Sequence, residues 1–155
     1  MKTPKKRIKK ILKMLDDNNL TYINLFKATP HIFISKNHPL KDKSSVNFDD
    51  LSDYPYLSFE QGNHNSFYFS EEILSTIRKN KNIRVRDRAT LFNLLIGLNG
   101  YTISSGVLDE GLNGKDIISV KLDYDSYMDI IAIKHKNIVL SEMANYYLES
   151  LKKYY

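Results

Sequence analysis

Three polar segments carry the side chains able to hold a small ligand: Ser58 to Ser66, Arg86-Asp87-Arg88-Ala89-Thr90, and Ser104-Ser105-Gly106. Each follows an apolar, strand-like run, and the first two precede helix-like runs. At the C-terminal ends of parallel strands, helix starts present free N–H groups, and hydroxyls, amides and a guanidinium add further hydrogen bonds. That set suits a small polar or anionic ligand. The candidate contacts are Ser58, Glu60, Gln61, Gly62, Asn65, Ser66, Arg86, Asp87, Thr90 and Ser104. Ordinary capping competes for the same residues: Asp87 or Thr90 can cap a helix, and Arg86 and Arg88 can pair with neighbouring acids. Strand alternation points Arg84 and Arg86 to one face and leaves Arg88 beyond the strand, so only part of that trio can address one ligand.

Catalytic constellations are missing from the sequence. His31, His38, His64 and His135 have neither HxxxH nor HExxH spacing, so a metal site has little support. The six glycines never form GxxxxGK or GxGxxG, and Gly-x-Ser-x-Gly does not occur. Zero cysteines remove thiol catalysis, thiolate zinc sites and disulfides together. His64 and Glu60 share one loop and could form an acid–base pair, but a histidine in so polar a segment is more simply solvated. The expectation is a binding domain, not an enzyme, with no cofactor.

The elements that must position these residues follow from periodicity. Leu20 to Phe26, His31 to Ser35, Tyr56 to Phe59, Asn82 to Arg86, Tyr101 to Ser105, Ile117 to Leu122 and Met128 to Lys134 read as strands. Lys41 to Asn47 reads as loop, and Phe48 to Leu51 as one helical turn stopped by Asp53 and Pro55. Helices are expected from Pro4 to Leu15, Ser70 to Lys79, Ala89 to Leu98 closed by Asn99-Gly100, and Leu140 to Lys153 started near Ser141. Gly106 to Leu112 reads as a short helix or turn ending at Asn113-Gly114. Strands alternating with helices make an α/β fold built partly on parallel strands.

A chain of 155 residues with 42% hydrophobic content can bury a core as a compact domain. Its net charge of +5 is concentrated at one end. Lys2, Lys5, Lys6, Arg7, Lys9, Lys10 and Lys13 fall in the first 13 residues, which contain no acid, so the remainder is near neutral. Ile8, Ile11, Leu12 and Leu15 give that basic segment one apolar face. Its alternative use is non-specific binding to nucleic acid or an anionic surface. No apolar run approaches the ~18 residues of a membrane span, and a reducing cytoplasm is the simplest setting for a cysteine-free chain.

The order of motifs resembles the effector-binding domain of LysR-type transcriptional regulators. His38-Pro39-Leu40, then Phe48 to Phe59, then Ala89 to Ser105 with its helix–glycine–strand pattern, carry the resemblance from about Leu25 to the C-terminus. It implies a type 2 periplasmic-binding-protein-like fold: a mixed sheet with flanking helices, in two lobes joined by crossover strands, with effector in the cleft. The second lobe would be about residues 36–125, and 25–35 with 126–155 would be a remnant of an incomplete first lobe, after a basic helix and link at 1–24. His31 to Ser35 and Met128 to Lys134 would be the crossovers. The resemblance further implies a small-molecule effector, a homodimer, and DNA contact only through a helix-turn-helix domain for which this chain has no room. Unpaired strand edges and an unpaired face on the last helix are expected, with Tyr146, Tyr147, Tyr154 and Tyr155 suited to an interface and Tyr147 equally suited to the core.

Overall fold

The computed structural model describes residues 12–60 and 81–153. Most of the Pro4–Leu15 helix, the Ser70–Lys79 helix, Tyr154 and Tyr155 lie outside the described residues. The chain forms two compact units, one of residues 1–28 with 129–155 and the other of 29–128. The divisions therefore fall at 28/29 and 128/129, where the resemblance implies 35/36 and 125/126.

The larger unit holds a four-stranded mixed sheet in the order β3 (Ser45–Val46), β7 (Ile117–Leu122), β2 (His31–Ser35), β6 (Thr102–Ser104). β2 runs antiparallel to both β7 and β6, and β3 is parallel to β7. Expected as a crossover, His31–Ser35 is instead a central strand of this sheet. The reason lies in its composition: Ile32 and Ile34 enter one apolar cluster with Tyr56, Ile103 and Leu122, while Phe33 enters a second with Leu57, Leu91 and Leu95. A strand buried on both faces belongs inside a sheet.

β4 (Tyr56–Phe59) and β5 (Asn82–Val85) pair in parallel. Tyr101 bridges to Tyr56, and Leu57 N–H donates to the Tyr101 carbonyl at 2.8 Å. α2 (Arg88–Gly97) packs on these strands through Leu91 and Leu95, one helical turn apart. The expected closure at Asn99-Gly100 is present: beyond the Leu98 cap, Asn99 takes the left-handed conformation (φ 48°) and Gly100 N–H reaches back to the Leu95 carbonyl. Lys41 to Asn47 needs correction, since it contains β3. Two residues in a parallel pairing leave no periodic signal, so only β7 reveals them. The Phe48–Leu51 turn is present and is held at its start by Asn47 and Asp50, whose side chains each accept from the other's N–H.

In the smaller unit, residues 12–17 form the described part of α1, and β1 (Leu20–Ala28) pairs with β8 (Met128–His135). Lys136 pairs with Asp16. α4 (Glu142–Lys152) starts at Ser141, whose hydroxyl accepts from Ala144 N–H. α4 buries none of its residues: Met143, Tyr146 and Tyr147 are exposed, so Tyr147 is not a core residue.

Candidate functional site

The larger unit contains a cavity of about 350 Å³ beside β6 and the start of α2. Among the described residues, Phe33, Leu91, Thr102 and Ile103 are its buried wall residues, and Phe59, Arg88, Phe92 and Ser104 also line it. Arg88 follows Asp87, which ends the turn after β5, so the chain delivers a guanidinium to the first helical position. That guanidinium lies over the Phe92 ring, 5.1 Å from its centroid, and its Nη2 donates to Asn113 Oδ1 at 2.5 Å. Asn113 is positioned by α3 (Glu110–Asn113), whose N-cap is Asp109. The arrangement holds a planar cation in fixed orientation on the wall of a largely apolar cavity.

Of the candidate residues, Ser104 lines this cavity. Ser58 is buried beneath the surface and donates to Asn82 Oδ1 at 3.3 Å. Glu60 and Arg86 face each other: Arg86 Nε donates to Glu60 Oε2 at 2.5 Å, with the arginine side chain 84% exposed. That hydrogen bond, with the charge of Arg86, holds the Glu60 carboxyl below its usual pKa, and the pair raises Arg86. Asp87 caps α2, accepting from Thr90 N–H and from Thr90 Oγ1, both at 2.8 Å; these bonds lower its pKa. Capping therefore accounts for Asp87 and Thr90, and a surface ion pair for Glu60 and Arg86. Gln61, Gly62, Asn65 and Ser66, with His64, lie outside the described residues.

The contacts expected from the sequence do not include Arg88 as a named contact or the three phenylalanines that line this cavity. Alternation along β5 set Arg88 beyond the strand, which is where it lies, but the helix that follows turns it onto the cavity. Three phenylalanines separated by dozens of residues leave no local signal of shared space. Among the described residues no group of three or more His, Asp or Glu could hold a metal ion, and no helix is long and apolar enough to cross a membrane.

The sequence matches no protein-family model and no curated protein. Solved structures do match. HinK, a LysR family transcriptional regulator from Pseudomonas aeruginosa, aligns over 88% of this chain and 48% of its own, with 15% identity and a TM-score of 0.63. The effector binding domain of QuiR in complex with shikimate aligns over 93% of this chain and 75% of its own, at 17% identity and TM-score 0.55. The regulatory domain of CcmR from Synechocystis PCC6803, in complex with 2-PG, aligns over 93% and 77%, at 14% identity and TM-score 0.58. The chain thus spans about half the length of HinK. Its fold is that of LysR-family effector-binding domains, mixed α/β of the type 2 periplasmic-binding-protein kind.

Proposed function

We propose that this chain is the ligand-sensing domain of a LysR-type transcriptional regulator and that its effector is a small anionic metabolite. The observation that carries the reading is Arg88, held on Phe92 and Asn113 at the wall of a cavity in this fold. The complexes of QuiR with shikimate and CcmR with 2-PG support a small-molecule effector. The site is then Arg88, Ser104 and Thr102 with the phenylalanines, while Glu60–Arg86 and Asp87–Thr90 hold the surrounding backbone in place. Residues 29–128 serve as the second lobe, and 1–28 with 129–155 as the first-lobe part. The domain works in the cytoplasm as a homodimer through the exposed face of α4, and ligand binding shifts that assembly. DNA contact in such a regulator belongs to a helix-turn-helix domain, not to this part.

A thermal-shift screen of the full chain against small metabolites tests the reading, because a ligand that binds only the folded state raises Tm saturably. The expected result is a rise that Arg88→Ala removes and Arg86→Ala leaves intact. A rise that depends on Arg86 and ignores Arg88 would move the site to the Glu60 pair and overturn this assignment.

A further inference from the structure

We propose that the cavity selects a small ring-bearing carboxylate, with the acid group on Arg88 and the ring against Phe33, Phe59 and Phe92; this rests on the ligand-sensing reading above. About 350 Å³ is the small end of the ~300–1,000 Å³ range of ligand pockets, room for a single-ring compound but not for a dinucleotide. Phe33, Leu91 and Ile103 are buried at 5%, 1% and 0% exposure, so the wall they form offers no hydrogen bond to a ligand. A hydroxyl or phosphate set against that part of the wall would lose water without a side-chain partner there, so the polar groups of a ligand belong on the Arg88 and Ser104 side. Aromatic walls favour an edge-to-face or offset-stacked ring.

Among the described lining residues, the charge is supplied at one place. A guanidinium carries five N–H donors in a planar fork, and Asn113 accepts from Arg88 through Nη2. The remaining donors match the two oxygens of a carboxylate. Stacking on Phe92 fixes the plane of the fork before a ligand arrives, which lowers the ordering cost of binding. Asp87 opposes an anion by proximity in sequence, but both of its carboxylate oxygens are engaged by Thr90. Ser104 adds a hydroxyl on the β6 side of the cavity, suited to a ring substituent.

Benzoate, its uncharged isostere benzamide, and acetate separate the contributions of ring and charge in a Tm titration of the full chain. Benzoate is expected to raise Tm saturably, benzamide to bind about tenfold or more weakly, and acetate to have no effect over the same range. In Arg88→Ala and in Arg88→Gln, benzoate should fall to the level of benzamide, with circular dichroism unchanged because the side chain lies on the surface. Equal binding of benzoate by wild type and both variants overturns the proposal, as does equal binding of acetate and benzoate. An Arg88-dependent shift by a sugar phosphate but not by benzoate overturns the ligand class and leaves the sensor reading standing. A metabolite panel with no Arg88-dependent shift overturns both.

Discussion

His38 occupies a buried position where its proton inventory is fully specified. Leu40 N–H donates to Nδ1 at 3.1 Å, so Nε2 carries the proton and donates to the Asn99 carbonyl at 3.1 Å. Tyr54 packs on the ring, with centroids 4.4 Å apart. Burial lowers the pKa from 6.5, opposed by the bond to Asn99. The neutral form is therefore the native one, and the unfolded chain binds the proton more readily. Stability from this residue is complete above pH 6.5 and declines as pH falls below that value toward the folded pKa. Urea unfolding from pH 8 to pH 5 should show that loss, and it should flatten in His38→Ala, which itself costs about 2–4 kcal/mol in lost contacts and an unpaired Leu40 N–H. At Gly100 the constraint is space: a Cβ would lie 2.2 Å from Leu57 Cδ1 and 3.0 Å from the Pro55 carbonyl oxygen. Leu57 is fully buried and cannot swing aside, so Gly100→Ala should cost about 1–3 kcal/mol by chemical denaturation. Gly106 combines φ +85° with a His31 ring in the path of any Cβ, and its substitution should also destabilise.

At the scale of elements, α2 depends on its cap. Asp87→Ala removes the acceptor of Thr90 N–H and Oγ1 and should lower Tm, whereas Asp87→Asn keeps an acceptor and should lower it less. Because those bonds depress the Asp87 pKa, the carboxylate's contribution is present above its usual 3.8 and lost as pH falls through the folded value, so the wild-type advantage over Asp87→Asn should shrink in acid. β2, β4 and β7 were legible because their apolar runs are bounded by proline, glycine or polar turns, and they begin and end where expected. The ends of α2 were legible to within a residue, but the roles at its C-terminus were not. Asn99 supplies the positive φ, and Gly100 supplies room for Leu57, a distinction that requires the neighbouring strand.

At the scale of the molecule, the two units differ in how much core they hold. Residues 29–128 contain both apolar clusters, whereas among the described hydrophobic residues of the other unit only Leu15 and Ala28 are buried. Val139 at 94% exposure and Met143 at 75% lie beside and on α4 with Tyr146 and Tyr147. The proposed homodimer rests on this exposed apolar surface, and tyrosine suits an interface. Sedimentation of the wild-type chain should therefore show self-association, and the double variant Met143→Lys, Tyr147→Lys should shift it to monomer. A monomeric wild-type chain would sink the homodimer reading.

The sequence by itself determined the fold class and nearly every strand and helix among the described residues, because local periodicity, turn residues and caps act over a few positions. It also determined that a strand end followed by Asp87 and Thr90 begins a capped helix. Only the tertiary structure decided that Arg86 turns to Glu60 while Arg88 turns to the cavity, and that Phe33, Phe59 and Phe92 share one space. Those outcomes depend on contacts between residues far apart in the chain. A side chain's partner is selected by packing across strands and helices, and no spacing along one segment encodes it.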